Sequence, residues 1–407
     1  MVLYTCAMWA SQRPNCLETG GHALIVANLP VLHMVGASFA PADRFNQGQP
    51  GVTTDHTDDE TTLPPLPTEQ LLIDNLPQLV ELLPGQGRAI VVSPGRAQLA
   101  DSLVAQHGLT EVAAWYLDMH SASEANGCCI DGVEVQCGSD LPEGGLDLVA
   151  MPVLRRGEAE LTRELMQQAH ERLTEGGYLA VSVDNPKDYW LHEQMQALLD
   201  KVTCQRTKTG CVYWGKKTQP LKKLRDFSCQ LVFRDEDERF IQMVTRPGIF
   251  SHRRLDPGAR QLMLAAEINP TDTVLEMGCG AGAVSLAAAC QTSGQVFAVD
   301  SNARAVECTQ RGAELNQLEN VQCILNADGV LELPVPIDIA LANPPYFGND
   351  RISQHFVDTA VTALRPGGAV LVVTKQPTWY EDYFTQFLED VMVFEASKYF
   401  VACGRKA

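Results

Sequence analysis

The sequence predicts an α/β fold in which one mostly parallel sheet with helices on both faces is built twice. From about Gln70 onward, short apolar runs alternate with amphipathic segments, which is typical of βαβ units. A glycine-rich turn, TVLEMGCGAG at 273–282, joins one such run to a helix-like segment. The second half also repeats the first, because LRPGGAVLVV at 364–373 corresponds to LTEGGYLAVS at 173–182. We therefore expect an internal duplication of one domain.

Length and composition bound the functions open to this chain. Its 407 residues suffice for two or three domains, and its hydrophobic fraction of 45% is ordinary for a soluble protein. The formal charge of -19 argues against broad, non-specific binding of nucleic acid but allows a local basic face. Thirteen cysteines without a paired C-x-x-C spacing indicate reduced thiols in a cytoplasmic protein with no metal site. The chain has no unbroken apolar run of about 18 residues, so no membrane span is expected.

Three regions are expected along the chain. Residues 1–69 include an acidic stretch rich in Thr and Pro, and we predict a disordered extension there. The alternative is a signal peptide, although a basic n-region is nearly absent. Residues 70–225 are predicted to form the first βα domain and residues 226–407 the second, with a polar connection over 224–239.

Apolar runs and turn signals place the individual elements. In the first half, helices are expected over 71–83, from 97 through 106, and over 160–173. Strands in that half are expected over 89–92, 112–117, 133–137, 146–150, 178–183, 202–206 and 210–215. In the second half, helices are expected over 283–290 and 302–314, and strands over 274–275, 295–300, 337–342, 369–373 and 398–402.

The glycine turn of the second half predicts a ligand site. Gly278, Gly280 and Gly282 let the backbone approach a ligand that a Cβ would exclude, and the following helix begins with unpaired N–H groups. Many nucleotide binders carry such a turn, so alone it is a weak signal. A second signal lies 61 positions beyond Gly282, where the apolar run IDIALA leads into Asn343, Pro344, Pro345 and Tyr346.

The two motifs together resemble those of the class I S-adenosylmethionine-dependent methyltransferases that methylate planar amino groups. This resemblance implies two tandem Rossmann-like domains, with S-adenosylmethionine as the cofactor of the second. In the first domain, Ser93–Arg96 stands in place of the glycine turn and Met151–Leu154 in place of the Asn-Pro-Pro-aromatic motif. We therefore expect the N-terminal domain to be degenerate and without chemistry.

Acidic residues at strand ends complete the expected cofactor site. Asp300 ends the second strand, where a carboxylate accepts hydrogen bonds from ribose hydroxyls; the competing interpretation is the N-cap of the next helix. Asp328 follows the third strand and is expected to meet the adenine amino group, unless it is a solvated turn residue. Glu276 is expected to order the turn or to meet the cofactor's amino group. The expected cofactor site also includes Gly278, Gly280, Gly282, Ser301, Ala327 and Asn343.

Methyl transfer to a planar amine sets requirements that the Asn-Pro-Pro-Tyr motif satisfies. The reaction is an in-line displacement, so the amine nitrogen must be held opposite sulfur at near-attack distance. The side-chain oxygen of Asn343 and the carbonyl of Pro344 are expected to accept the two amine hydrogens. Pro344 and Pro345 remove two donors from the loop, and Tyr346 offers a face for stacking. The competing interpretation is a Pro-rich turn.

A narrower likeness is to the bacterial ribosomal RNA guanine-N2 methyltransferases, the small-subunit enzyme first and the large-subunit relative next. PGIFS at 247–251 resembles the family's Pro-Gly-Val-Phe-Ser entry to the active domain, which helps to wall the cofactor pocket there, and GCVYWG at 210–215 matches the last strand of its first domain. The likeness covers about 70–406 and implies methylation of a guanine N2 amine in ribosomal RNA. The family usually has Asn-Pro-Pro-Phe-His, whereas here Tyr346 is followed by Phe347.

Three alternatives stay open, and the first two follow from that departure. Asn-Pro-Pro-Tyr is also common in adenine-N6 methyltransferases of nucleic acid and in glutamine-N5 methyltransferases of release factors. The duplicated βα domain argues against the release-factor enzyme, which usually has a small helical N-terminal domain. A non-catalytic protein that retains the cofactor fold is the third alternative, and the intact Asn343–Tyr346 motif argues against it.

An RNA partner requires a basic surface despite the acidic total. Between 201 and 225 the chain has basic residues and no acidic residue, and we expect this stretch to contact phosphates near the domain junction. The competing interpretation is a solvated surface. The basic residues are Lys201, Arg206, Lys208, Lys216, Lys217, Lys222, Lys223 and Arg225, followed by Arg246, Arg253, Arg254 and Arg260.

Overall fold

The first half of the chain forms an eight-stranded mixed sheet. The computed structural model describes residues 64–83, 87–345 and 350–407, and the backbone of 32–33. The strands are β1 (Leu32–His33), β2 (Ala89–Val92), β3 (Val112–Tyr116), β4 (Val133–Cys137), β5 (Leu146–Val153), β6 (Leu173–Val183), β7 (Thr203–Arg206) and β8 (Cys211–Lys216), in the spatial order β1-β4-β3-β2-β5-β6-β8-β7. The helices are α1 (Pro67–Ile73), α2 (Leu76–Val80), α3 (Gln98–Ala105), α4 (Met119–Asn126), α5 (Ala159–Arg172) and α6 (Trp190–Leu198).

One predicted helix of this half is wrong. The segment 71–83 was expected to be a single helix, but α1 ends at Ile73 and α2 begins at Leu76. Pro77 explains the break, because it has no N–H to donate to the carbonyl four residues earlier and its ring crowds that carbonyl. The disordered extension predicted for 1–69 is too long at its end, because α1 begins at Pro67. Most of the remaining residues lie outside the described part of the chain, where the extension stays a prediction.

The second half contains a seven-stranded sheet. Its strands are β11 (Val274–Met277), β12 (Val296–Asp300), β13 (Val321–Leu325), β14 (Ile337–Ala342), β15 (Leu364–Thr374), β16 (Leu388–Ala396) and β17 (Tyr399–Lys406), in the order β13-β12-β11-β14-β15-β17-β16. The helices are α7 (Pro257–Ala265), α8 (Ala283–Ala289), α9 (Ala303–Leu315), α10 (Arg351–Ala363) and α11 (Pro377–Phe384). Apart from β1, the two sheets have the same strand order. In each sheet the strand that comes last in the chain, β8 or β17, runs antiparallel to both of its neighbours.

A two-stranded hairpin joins the halves where a polar connection was expected over 224–239. The hairpin consists of β9 (Cys229–Arg234) and β10 (Phe240–Thr245), paired antiparallel with Arg234 opposite Phe240. Phe233 and Ile241 are buried in the core of the second half. Charged residues crowd the turn between the strands, and this polarity hid the strand alternation in the sequence.

Apolar side chains pack on both faces of each sheet, as expected for strands that read as continuous apolar runs. Ala303 of the second half packs into a cluster of the first, so the halves share a buried contact. Within the described residues, no helix is long and apolar enough to cross a membrane, and no group of three His, Cys, Asp or Glu side chains is placed to hold a metal ion.

Candidate active site

The glycine turn lies at the carboxyl end of β11, an interior strand of the second sheet. β11 pairs in parallel with β12 on one side and with β14 on the other. Parallel strands end at the same edge of a sheet, so the turn, Asp300 and Asn343 come to one edge. The predicted succession of strand, glycine turn and helix is confirmed, with α8 beginning at Ala283.

The three glycines of the turn have different surroundings, although all three have positive φ. A Cβ on Gly278 would lie 2.7 Å from the ring of Phe356, and one on Gly282 would lie 2.8 Å from the side chain of Thr309. A Cβ on Gly280 would meet no atom within 4 Å. Gly278 and Gly282 are therefore required by packing within the protein, whereas Gly280 borders open space where a ligand can approach the backbone.

The side chain of Glu276 connects β11 to α8, the helix after the turn. The carboxylate is 2% exposed, and Oε2 accepts hydrogen bonds from the backbone N of Ser285 (2.7 Å) and from its hydroxyl. Burial raises the pKa of Glu276 to about 8, although these two donors favour the ionised form. Of the two roles expected for Glu276, these contacts match the ordering of the turn.

Asp300 holds the glycine turn with one oxygen and the next loop with the other. Oδ2 accepts from the N of Gly280 (2.8 Å) and Oδ1 from the N of Asn302 (2.9 Å). The competing interpretation of Asp300 as a helix N-cap is wrong, because Asn302 caps α9 through bonds from the N of Arg304 and Ala305. Burial raises the pKa of Asp300 to about 6. The carboxylate is thus fixed beside the open space at Gly280.

The side chain of Asn343 is oriented by a residue to which the sequence had given no role. Asn343 follows β14, and its Nδ2 donates to Asp256 Oδ2 at 2.8 Å. The same oxygen of Asp256 accepts from the N of Ala259 (2.8 Å) and so caps α7. The Asp-Pro pair at 256–257 is a helix-start signal, but the contact with Asn343 spans 87 residues and no local pattern encodes it.

The other expected site residues differ in how well the structure matches the role expected of each. Pro344 and Pro345 follow Asn343 at the same edge, whereas Tyr346 lies outside the described residues and its stacking role stays a prediction. Ala327 and the exposed Asp328 follow β13; Asp328 Oδ1 accepts from Asn326 Nδ2 (2.8 Å) and the N of Val330 (2.9 Å). These bonds match the solvated-turn interpretation, and the other carboxylate oxygen of Asp328 does not take part in them.

Tyr399 lies near Asp256, the residue that orients Asn343, and Lys375 lies beside Tyr399; neither was predicted to belong to the site. Lys375 follows β15, and its Nζ lies 5.1 Å from the centroid of the Tyr399 ring. Asp256 and Arg254 act on the Tyr399 hydroxyl, whose pKa is raised chiefly by burial and also by the Asp256 charge. An aromatic ring and cations therefore lie close to Asp256, the residue that orients Asn343.

The predicted basic surface is smaller than expected. Lys217 is not available to phosphate, because its Nζ donates to the carbonyls of Glu171 (3.1 Å) and Leu173 (2.7 Å) at the end of α5. Arg246 is only 7% exposed and is surrounded by carboxylates. Arg253 pairs with Glu160 at 2.9 Å. Exposed lysines remain at Lys201, Lys208, Lys216, Lys222 and Lys223.

An ion-pair cluster with a buried centre joins the halves beside the site; its members are Asp140, Glu164, Arg246, Arg304 and Glu307. Arg246 donates to Glu164 (2.6 Å) and to Glu307 (2.6 Å). Arg304, fully buried, donates to the other oxygen of Glu164 at 2.8 Å. Arg304 lies in the first turn of α9, so the cluster fixes the helix that follows Asp300.

Comparison with known proteins identifies the half that carries this site. Residues 240–403 match the family model described as the methyltransferase small domain. This half is therefore similar to the methyltransferase small domain. The match includes the glycine turn, Asp300 and Asn343, and below we call residues 240–403 the methyltransferase domain.

Curated relatives carry ribosomal RNA methyltransferase names. Ribosomal RNA small subunit methyltransferase C of Alcanivorax borkumensis is 26% identical over 230 residues, which cover 51% of this chain and 69% of that protein. Its counterpart in Hahella chejuensis is 29% identical over 244 residues, covering 58% of this chain and 65% of that protein. Ribosomal RNA large subunit methyltransferase G of Shewanella amazonensis is 31% identical over 155 residues, covering 36% and 40%. The similarity thus reaches about two thirds of the first two relatives and less of the third.

A solved structure extends the likeness to most of the chain. A T. thermophilus 16S rRNA methyltransferase in complex with AdoMet and guanosine has a TM-score of 0.66 and 22% identity, covering 81% of this chain and 92% of that chain. This coverage exceeds the methyltransferase domain, so the likeness includes the first half. At this identity it shows the fold, which is the Rossmann-like class I methyltransferase fold.

Proposed function

We propose that this protein transfers a methyl group from S-adenosylmethionine to the exocyclic N2 amine of a guanine in ribosomal RNA, and that this RNA is the one of the small subunit. The observation that carries the proposal is the Asn343 amide, held by Asp256 at the end of β14, beside a glycine turn that borders open space at Gly280. The names of the relatives support ribosomal RNA as the partner.

The residues present fit the cofactor. Gly280 leaves room for a ligand against the backbone, and the neighbouring Asp300 would accept from the ribose hydroxyls. Ser301, Ala327 and Asp328 lie at the same edge, where the adenosine would extend. When bound, S-adenosylmethionine supplies an electrophilic methyl group on sulfonium sulfur.

The chain's own contribution to the reaction is the placement of the amine. A guanine N2 amine is a poor nucleophile because its lone pair is delocalised into the ring. Asp256 accepts from the Nδ2 of Asn343, so the amide presents its oxygen at the opposite end as an acceptor for an amine hydrogen. With the Pro344 carbonyl as second acceptor, the amine is aligned and its lone pair is directed at the methyl carbon.

We further propose that the first half is a duplicated domain whose cofactor site is filled. Both sheets have the same strand order, and Tyr116 ends β3 where Asp300 ends β12. Tyr116 is 2% exposed, and its hydroxyl donates to the carbonyl of Gly95 at 3.0 Å. A Cβ on Gly95 would lie 2.8 Å from the Glu69 carboxylate. The space that a cofactor would need is therefore occupied, which leaves this half for RNA recognition and support.

The acceptor is tested by supplying labelled S-adenosylmethionine with small subunits, free ribosomal RNA, large subunits and release factor from cells that lack the gene. We expect label in small-subunit RNA, recovered as N2-methylguanosine, and no label with the Asn343→Ala variant. Recovery as N6-methyladenosine, or label in release factor alone, would replace guanine N2 by one of the alternative acceptors. Absence of label from every substrate would overturn the proposed activity.

A further inference from the structure

The two halves touch through equivalent loops, one that follows β3 and one that follows β12. The backbone N of Met119 donates to the carbonyl of Ser301 at 2.7 Å, and the N of Ala303 donates to the carbonyl of Leu117 at 2.9 Å. These reciprocal bonds form an isolated antiparallel bridge between Asp118 and Asn302. The loop after β3 is thus bonded directly to the loop that carries Asp300.

A side-chain contact strengthens this bridge. Ser301 Oγ donates to Asp118 Oδ2 at 2.6 Å. The other oxygen, Asp118 Oδ1, accepts from the N of Ser121 at 3.0 Å and caps α4. Asp118 is therefore fixed within the first half by one oxygen, while the other holds a residue of the cofactor loop.

From Ser301 the connection continues to the glycine turn. Ser301 is the residue after Asp300, and Asp300 Oδ2 accepts from the N of Gly280 at 2.8 Å. The loop is held from its other side as well, because Asn302 Nδ2 donates to the carbonyl of Gly248 at 2.8 Å. A short chain of bonds thus runs from Asp118 through Ser301 and Asp300 to Gly280.

We propose that Asp118 is a positioning residue for the cofactor site: it anchors Ser301 and places Asp300 for S-adenosylmethionine, so that cofactor affinity depends on a carboxylate of the first half. This inference rests on the proposed function, since it takes Asp300 as the ribose acceptor. It departs from the expectation that cofactor binding belongs to the second half alone.

The charge of Asp118 acts on Asp300 in addition to the hydrogen-bonded contact. Burial is the largest cause of the raised pKa of Asp300, and the Asp118 charge raises it further. The other titratable groups that interact with Asp300 are Glu276 and Cys279, both on the strand and turn beside it. The N–H groups of Gly280, Ser301 and Asn302 oppose the shift. Removing the Asp118 charge alone should therefore make Asp300 easier to ionise.

Two variants separate contact from charge. Asp118→Ser keeps an oxygen able to cap α4 but is too short to reach Ser301, so we expect binding of S-adenosylhomocysteine to weaken on the order of tenfold. Asp118→Asn can cap α4 with its oxygen and face Ser301 with its amide, but it has no charge. We expect its affinity at about pH 8 to stay near wild type, while the fall in affinity on acidification moves to lower pH than in wild type.

Calorimetric titration of the full chain with S-adenosylhomocysteine from about pH 5 to about pH 8 supplies both readouts. Ser301→Ala should also weaken binding. The double variant with Asp118→Ser should bind about as weakly as either single variant, because both substitutions remove the same contact. Unchanged affinity in Asp118→Ser together with an unshifted pH profile in Asp118→Asn would overturn this inference and leave the proposed function standing. Failure of the wild-type chain to bind would overturn both.

Discussion

At the scale of single residues, the site depends on the direction in which one amide points. Asn343 and Asp256 are 87 residues apart, and their bond at 2.8 Å decides which end of the amide would face the amine in the proposed reaction. An amide turned end over end would present its NH2 group and repel the amine hydrogens. The proposed reaction therefore needs the orientation set by Asp256 as well as the side chain of Asn343.

Substitutions at these two positions should separate chemistry from folding. We expect Asn343→Ala to fold and to lose roughly a hundredfold or more in single-turnover methyl transfer at saturating cofactor, since one oriented acceptor is removed. Asp256→Ser keeps an N-cap oxygen for α7 but cannot reach Asn343, so the rate should fall between about tenfold and a hundredfold. Asp256→Asn should restore most of it, because its oxygen can accept both bonds of Asp256 Oδ2. A near-wild-type rate for Asn343→Ala would show that other groups hold the amine.

The raised pKa of Glu276 predicts how the free energy of unfolding changes with pH. Its folded-state pKa of about 8 lies above the usual value, so the folded protein keeps a proton that the unfolded chain releases at lower pH. The stability that this proton supports is complete at acidic pH and is lost as pH rises through about 8. Glu276→Gln keeps the acceptor for Ser285 without ionising, so its free energy of unfolding should fall less than that of wild type between about pH 6.5 and about pH 9. Urea titrations of both proteins at several pH values measure this free energy. If it changes equally with pH in the two proteins, Glu276 does not titrate in that range.

At the scale of elements, the predicted strands and the glycine turn were readable because their signals are local. β11 and β14 are short apolar runs that lead directly into polar motifs, and both lie where expected. The hairpin of β9 and β10 was missed because its turn is charged and β9 has a single buried residue, Phe233. The equivalence of Tyr116 and Asp300 was also missed, since tyrosine at a strand end carries no sign of its role in the three-dimensional fold.

The turn itself gives a prediction for Gly280. Gly280→Val should strain a backbone with φ of 55° and place a branched side chain in the open space, so binding of S-adenosylhomocysteine should be abolished. Gly367→Val is the matched control, because Gly367 also has positive φ (76°) but is exposed near the start of β15, at the opposite edge of the sheet. We expect the control to lose stability while keeping cofactor affinity. Calorimetry with undiminished binding in Gly280→Val would remove this turn from the cofactor site.

The surface after β8 gives a prediction for RNA binding. Replacing Lys216, Lys222 and Lys223 together by Glu should weaken binding to ribosomal RNA and lower its salt dependence by about one unit of slope for each phosphate that the lysines no longer neutralise. Lys217 is left unchanged because it closes α5. Filter binding at several salt concentrations measures the slope, and cofactor affinity serves as the control. If affinity for RNA is unaltered, the lysines are a solvated surface.

At the scale of the whole molecule, the methyltransferase domain depends on interactions that no sequence pattern reveals. Ser301 and Asp118 are 183 residues apart, and Arg304 and Glu164 are 140 residues apart. Arg246 was expected at the surface because arginine usually is, yet the carboxylates that surround it come from both halves. Long-range pairing of this kind is set by the packing of two finished domains, and composition or periodicity cannot encode it.

Glu164 tests how firmly the halves are joined. Its two oxygens accept from Arg246 (2.6 Å) and Arg304 (2.8 Å), and all three side chains are buried. Glu164→Ala leaves two buried guanidinium groups without this shared partner, so we expect a loss of about 3–5 kcal/mol in the free energy of unfolding. Glu193→Ala, at an exposed position of α6, should change it by less than about 0.5 kcal/mol. Denaturant titration measures both, and because Arg304 begins the helix after Asp300, Glu164→Ala should weaken cofactor binding as well. Equal stability of the two variants would mean that the halves are held by apolar packing, with the ion-pair cluster contributing little.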